Sequence, residues 1–572
     1  MKSFSQEKSP LQVFTPLEEN TLLPVRLAGW EQLNDSFEFT LDLLAPKHTE
    51  IPFEKLLGQD AGARVTLADG TVRHLNGMVW SFSQSDSDEV FDHYQMVLRP
   101  RLASLGLVKR SRIFQNQTAL DIIRQVLAPV GGAEFELHEK SGIRLYCTQY
   151  EETDLEFFLR LCSEEGISHY WRHGKKHDGT EREWVETRPE NRHHHSPTHT
   201  LVLAGNTSLS PSTGEVEYCA NGGPSPQKPA IRTWRVEQKL TPTRALLLDS
   251  HFQFYGQILK ATATGQQSTR AGERVFQTPE APGPWVPPER SFARQFDAID
   301  HSGTSDPAAL GLINDAQEHR ARVAATGMMA DSVRAAARGD CNQVTPGYAF
   351  QLRGHHRQDG DWLAVRVEHT VEVEGSYWAG EATSLKREAT IQAAPLSLQQ
   401  PPWPPRPKPT VKGVETAMVT GPRGMDTFVD PHGRVKVYFW FDPAARKNST
   451  SSCWVRVAQG WAGKGYGAAF WPRVGHEVVV SFERGDPDRP IITGSVYNGT
   501  NNPPFELPEN VYLSGYKTLC QGGDVSENYH LLLLSDERGA EVVHIHAEAR
   551  FNTTQESSQI SMRPQTDINV QG

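Results

Sequence analysis

The chain is short of close cysteine pairs, of long apolar runs and of surplus positive charge, and each shortage removes a class of protein. Six cysteines lie scattered at Cys147, Cys162, Cys219, Cys341, Cys453 and Cys520. That is sparse for a disulfide framework and wrongly spaced for a zinc knuckle, and it predicts a chain made in a reducing cytoplasm. No apolar run approaches the roughly 20 residues that cross a bilayer as a helix. The first residues, "MKSFSQEKSPLQVFTPLEEN", are polar and carry acids, so no signal peptide is expected. A formal charge of −11 and a pI near 6.1 argue against general binding to nucleic acid or membrane surfaces.

Catalytic signatures are missing as well. "GWAGKGYG" sets Gly460, Gly463, Lys464, Gly465 and Gly467 close together, but a phosphate loop needs Ser or Thr after the lysine and then a helix. Here glycine follows, and the next run is β-like. "GHEVVVSF" begins like a zinc-protease helix, yet no second histidine follows four residues on, and its period is that of a strand. There is no G-x-S-x-G, and no carboxylate pair stands out from the general acidity. The expectation is therefore no catalytic residue, no cofactor and no metal. Two groups of histidines invite a metal all the same. His193, His194, His195 and His199 fall in "NRHHHSPTHT", a tract that can bind a transition metal but ordinarily reads as a polar surface loop. His544, His546 and Glu548 share one strand face at about 6.5–7 Å spacing, ordinarily a solvated outer face.

What is present is β-structure cut by turns. At 572 residues the chain exceeds one core and suggests roughly three or four domains. "RLAGWEQLNDSFEFTLDLLA" reads as strand, turn, strand. Three helices are signalled. "QTALDIIRQVLAPV" has Thr118 and Asp121 in capping-box spacing and stops before Pro129. "EETDLEFFLRLCSEEGISHYW" has a second box at Thr153 and Glu156, an apolar stripe of Leu155, Phe158, Leu159 and Cys162, and Gly166 for the left-handed end. A third opens at Asp306-Pro307 and runs to Gly327, read as the glycine after its end. From Ala393 to Lys412, "AAPLSLQQPPWPPRPKPTVK" favours an extended spacer and marks the main boundary.

Beyond it, short strands between Gly, Pro and Asp turns suggest a small five-stranded barrel of the oligonucleotide/oligosaccharide-binding type. Its corner is legible residue by residue. Val474, Val478, Val480 and Phe482 alternate with Glu477, Ser481 and Glu483; "RGDPDRP" then turns the chain, with Pro490 suited to start the next strand. Tyr438, Trp440, Trp454, Trp461, Tyr466 and Trp471 could stack bases. Yet from Val411 to Glu506 there are 11 Lys/Arg against 9 Asp/Glu, too even a balance for phosphate binding. They are expected in the core or at an interface. In the tail, "LLLLSDERGAEVVHIHAEARF" reads strand, turn, strand. Val543, Ile545, Ala547, Ala549 and Phe551 lie on one face, a stripe that a thin hairpin cannot bury alone and that is expected to meet copies of itself.

On these residues the chain resembles the type VI secretion spike family (valine-glycine-repeat G, VgrG), akin to the hub and spike of contractile phage tails. The matching stretches, among them "YEETDLEFFLRLCSEEGISHYW", "GPRGMDTFVDPHGRVKVYFWFD" and Cys453–Asn498, span almost the whole chain. The resemblance implies a mainly β fold, α+β in the hub: a phage-hub-like region at 1–392, a proline-rich linker at 393–412, an oligonucleotide/oligosaccharide-binding barrel at 413–506 and a β-helical needle from 507 to 572. It implies a homotrimer that caps a secreted tube of hexameric rings, punctures a target envelope and carries effectors, with a PAAR-repeat tip protein and baseplate partners and without nucleic acid. Such a protein is made in the bacterial cytoplasm and leaves through the machine. Two alternatives use similar parts: the hub of a phage tail or extracellular injection system, and a spike with a catalytic C-terminal extension, for which the sixty or so residues after the barrel leave no room. "NTTQESSQISMRPQTDINVQG" alternates weakly, so the implied needle is short, by nature or by shortening.

Overall fold

The computed structural model describes residues 4–136, 142–174, 199–220, 229–256, 258–265, 307–375, 377, 384–550 and 552. The chain divides into two units. Unit 1 takes Met1–Val414, Trp440–Ala445 and Ser481–Ile491; unit 2 takes Glu415–Phe439, Arg446–Val480 and Ile492–Gly572.

In unit 1 the first six strands are β1 (Leu11–Phe14), β2 (Leu23–Gln32), β3 (Phe37–Pro46), β4 (Asp60–Thr66), β5 (Val72–Ser87) and β6 (Phe91–Arg99). β2 and β3 form the expected strand–turn–strand pair. Along β3 the alternation of "FEFTLDLLAP" becomes a buried face of Phe37, Phe39, Leu41, Leu43 and Ala45, because successive side chains of a strand point to opposite sides. Then come β7 (Ser168–His173) and β8 (His199–Ala204), an antiparallel pair with a short strand, Glu134–Glu136, beside β8. β9 (Ser212–Tyr218), β10 (Ala230–Gln238), β11 (Val333–Gly339), β12 (Ala349–Arg353), β13 (Gly360–Glu374) and β14 (Ser384–Pro395) follow. One twelve-stranded sheet runs β1-β4-β5-β6-β3-β2-β13-β12-β9-β10-β11-β14, and β14 pairs back onto β13. The second half is thereby closed into a six-stranded barrel filled by Val216, Ile231, Phe350, Trp362, Val367 and Ile391, which leaves it no open edge.

The first two helices obey their end signals. α1 (Ala119–Leu127) and α2 (Asp154–Glu165) both carry complete capping boxes, and Gly166 ends α2 with φ at 70°. The buried face of α2 is broader than the predicted stripe. Phe157, Phe158, Leu161 and Cys162 are buried, Leu155 and Leu159 only partly, and Arg160 and Glu164 go inside with them. α3 (Pro307–Met329) continues through Gly327, which corrects the reading of that residue as a stop; Asp306 lies outside the described residues. Gly327 instead is a notch: a Cβ there would stand 2.4 Å from the Trp403 indole. Gly327→Val is expected to cost unit 1 about 1–3 kcal/mol by overpacking, seen as a lower urea midpoint; an unchanged midpoint would show that the indole yields.

Trp403 belongs to the stretch read as a spacer, and that stretch is held in unit 1. Its first residues complete β14. The backbone carbonyl of Gln400 accepts hydrogen bonds from Asn34 Nδ2 at 2.9 Å and Ser168 Oγ at 2.8 Å, and its side-chain amide donates to Ala330 O at 3.1 Å. Proline keeps the segment extended as composition predicts, but it is pinned rather than free.

After the proline-rich stretch come β15 (Val414–Thr420), β16 (Lys436–Phe439), β17 (Arg456–Val457), β18 (Glu477–Phe482) and β19 (Pro490–Val496), a five-stranded sheet in the order β16-β15-β18-β19-β17. β18 buries Val478, Val480 and Phe482, as alternation predicts. Val474 falls outside it, ahead of a turn at Gly475 with φ of 89°. The tail folds as β20 (Leu513–Lys517), β21 (Leu531–Ser535) and β22 (Val542–His546), three antiparallel strands in chain order.

Candidate functional surface

Register places the side chains of the tail sheet. Tyr516 stands opposite Leu532, which stands opposite Ile545; Ser514 stands opposite Leu534, which stands opposite Val543. Residues opposite one another share a face, so Tyr516, Leu532, Leu534, Val543 and Ile545 form one contiguous face, and every one of them is exposed, Ile545 at 55%. Val543 and Ile545 share a side as expected. Ala547 and Ala549 lie past the end of β22, and Phe551 lies outside the described residues. Five large apolar side chains together in water are costly for a protein to display.

Aromatic residues add to the exposed surface of unit 2. Tyr438 is buried and Trp454 half-buried, but Trp461, Tyr466 and Trp471 are exposed, as is Trp440 in unit 1. For these the expected core position fails, because the small barrel is already filled by Val419, Val437, Val455, Val478, Val480 and Ile492. Trp461 meets Tyr466 edge-on at 5.5 Å, and Phe470 stacks on Tyr516 at 5.4 Å. The Lys464 loop is a tight turn in which Gly463 N donates to Tyr466 O, with a β-bridge between Ala462 and Gly467. It offers no helix N-terminus to a phosphate.

The histidines part company. His193–His195 lie outside the described residues. His199, read with them as loop, opens β8 and is half-buried, its ring against Phe37 and Trp171 at 5.6 and 5.7 Å. The aromatic pocket outweighs the polar neighbours in sequence. His544 is exposed, and His546 stands 3.8 Å from Glu548. Among the described residues no group of three or more metal-ligating side chains has the geometry to hold an ion.

A polar cluster missed from sequence lies inside unit 1. Glu31 on β2 takes an ion pair from Arg73 on β5, faces His173 Nε2 on β7 at 3.3 Å and His369 Nε2 on β13 at 2.9 Å. Asn76 N donates to His173 Nδ1 at 3.0 Å, and Asn342 Nδ2 lies 3.2 Å from His369 Nδ1. With Nδ1 accepting on each ring, both protons sit on Nε2, pointing at the carboxylate. Neither ring therefore has a lone pair for a metal. Burial pushes the Glu31 carboxyl up, but Arg73 and the two imidazoles outweigh it and hold it well below the usual range.

A second cluster holds the corner that the sequence displays so plainly. Lys408 Nζ stands 2.6 Å from Asp486 and 2.5 Å from Asp488, Asp488 accepts from Thr148 N at 2.7 Å, and Arg489 pairs with Asp249 at 2.7 Å. Beside it Arg160 joins Glu152 and Glu164, and Arg144 joins Glu164 and Glu165. Each of these enclosed charges stands beside a charge of opposite sign, as burial of an ion requires.

Comparison with known proteins agrees with this architecture. Residues 30–375 match the family model described as phage tail baseplate hub (GPD), and residues 426–497 match the type VI secretion system/phage-baseplate injector OB domain. The chain is similar to type VI secretion system spike protein VgrG1b of Pseudomonas aeruginosa, 32% identical over 553 residues, covering 96% of this chain and 68% of that one. It is also similar to actin cross-linking toxin VgrG1 of Vibrio cholerae, 30% identical over 567 residues but covering only 46% of that protein. Among solved structures, the E. coli c3393 protein, described as a type VI secretion component similar to T4 tail proteins gp27 and gp5, superposes with a TM-score of 0.55 at 17% identity, over 85% of this chain and 100% of that one. By both sequence and architecture, the chain belongs to the VgrG family of type VI secretion system spike proteins, built on a phage tail baseplate hub.

Proposed function

We propose that this spike protein works as a homotrimer that caps the secreted tube, is driven through a target envelope and carries effectors, with no reaction performed by the residues described above. The exposed apolar face of Tyr516, Leu532, Leu534, Val543 and Ile545 carries the reading. Three identical faces closed around a three-fold axis would hide each other and leave a stiff shaft. Each fully covered isoleucine or leucine contributes roughly 1.5–3 kcal/mol, once per chain. The exposed Trp461, Tyr466 and Trp471 fit the same interface.

The division into hub, linker, barrel and needle at 392, 412 and 506 belongs to this proposal. So do the partners the family suggests: tube rings, a PAAR-repeat tip, baseplate components and effectors. Synthesis in the cytoplasm and export through the machine complete it; among the described residues no helix is long and apolar enough to cross a membrane. The test is light scattering of the purified chain at micromolar concentration. A trimer is expected, with Ile545→Asp shifting it toward monomer, because each subunit would carry an unpaired charge toward the axis. A parent that stays monomeric, or a variant as trimeric as the parent, would overturn it.

A further inference from the structure

The inner face of the β7–β8 pair carries three imidazoles. His169 and His173 alternate with Trp171 on β7, and His199 stands directly opposite His173 on β8. His169 and His173 have buried rings in unit 1, and His199 is half-buried. His173 Nδ1 accepts from Asn76 N at 3.0 Å, and His199 Nε2 accepts from Arg101 N at 3.0 Å. Each ring thus presents its one acceptor to a backbone N–H, and a proton arriving there would set donor against donor. Both ring nitrogens of His169 are buried without a hydrogen-bond partner among the described residues, with the Phe158 ring 5.5 Å away.

The charged and titratable groups facing these rings add no place for extra protons. His173 faces Glu31 from β2, Arg73 from β5 and His369 from β13. Glu31 is already committed to Arg73 and His369. His199 faces His173 and Arg101, and the Arg101 side chain is itself paired with Asp60 at 2.7 Å. His169 faces Arg406. His169 and His199 therefore each lie near an arginine, whose charge disfavours a further positive charge on the ring.

We propose that β7–β8 is an acid-sensitive latch in the hub, closed at neutral pH and opened when the imidazoles of His169, His173 and His199 take up protons. Burial lowers His169 and His199 to about 3 each, and lowers His173 as well. The sign follows from linkage. A histidine depressed in the folded state is neutral there and charged once exposed below its ordinary value near 6.5. Its contribution is whole above about pH 6.5 and drains as pH falls toward about 3. Buried carboxylates such as Glu31 and Glu164 act in the same direction, but only below about pH 4.5. The interval from 6.5 to 5 therefore belongs to the histidines. The result is a hub that keeps its shape in neutral surroundings and loosens in an acidic one.

The experiment is hydrogen–deuterium exchange on the full chain at pH 6.5 and pH 5, with each rate divided by the intrinsic rate at that pH. Peptides from 168–173 and 199–204 are expected to open about tenfold more per depressed histidine at the lower pH, while those from 360–374 change less. His199→Gln is neutral at both values and keeps an oxygen for Arg101 N–H; it should reduce the acid response about tenfold. His356→Gln, at an exposed position, should leave it unchanged. Equal protection of β7–β8 at both pH values in the parent overturns the latch, and so does a His199→Gln variant with the parental acid response. Should that variant fail to fold, the parental profile alone decides.

Discussion

Replacing Lys408 with methionine is expected to lower the stability of unit 1 by about 3–5 kcal/mol. The ammonium sits between two carboxylates, 2.6 Å from Asp486 and 2.5 Å from Asp488, with the lysine side chain only 7% exposed. Burial alone would drive its proton off, but Asp486, Asp488 and Glu164 outweigh burial and raise its pKa above the ordinary lysine value. A raised lysine stays charged through neutral pH, so the pair is intact under ordinary conditions. Methionine keeps most of the packing and removes the charge, leaving a buried Asp488 carboxylate and a half-buried Asp486 carboxylate without the ammonium between them. That asymmetry makes the single change severe, whereas replacing both signs by apolar groups is often neutral. The readout is the urea midpoint of unit 1, together with a cycle using Asp486→Asn. Part of the loss should return in Lys408→Met/Asp486→Asn, because one of the stranded charges is gone. A loss below about 1 kcal/mol, the range of surface pairs, would mean that water reaches the corner.

Phe37→Ala is expected to cost a similar amount, about 3–5 kcal/mol, by the transfer and cavity terms of a truncated core aromatic. Phe37 is fully buried at the head of β3. Its ring contacts Phe39 at 5.1 Å, Trp171 at 5.2 Å, His173 at 4.9 Å and His199 at 5.6 Å. It therefore supports both β3 and the inner face of β7–β8, and the neighbouring rings are too large to collapse into the space. Thermal or urea unfolding should show an earlier transition, and exchange in residues 168–173 should rise at neutral pH. A midpoint within experimental error of the parent would show that the cavity closes.

Much of the fold could be read locally, and particular residues show why. Thr118 with Asp121, and Thr153 with Glu156, answer a need that arises within one turn of chain: the first amides of a helix lack partners. Gly166 ends α2 because glycine tolerates the left-handed region. Val478, Val480 and Phe482 fall on one side of β18 because the strand repeats every two residues. The apolar face of the tail was legible for the same reason, down to Val543 and Ile545.

The misreadings share one cause. Gly327 looked like a helix stop until the Trp403 indole, brought in from the proline-rich stretch, explained its missing Cβ. His199 looked like part of a polar loop until strand pairing set it opposite His173 among aromatic rings. Glu31, Arg73, His173 and His369 come from four strands, and no spacing rule links them.

By itself, then, the sequence determined the β-rich class, the ends of α1 and α2, the acidic corner and a tail with one apolar face, since each depends on contacts within a few residues or on the repeat of a strand. Only the tertiary structure decided which charges are buried, which histidines are held neutral and which aromatics stand in water. Burial is set by what distant segments bring alongside, and in a low-dielectric interior that neighbour governs the energy of a charge.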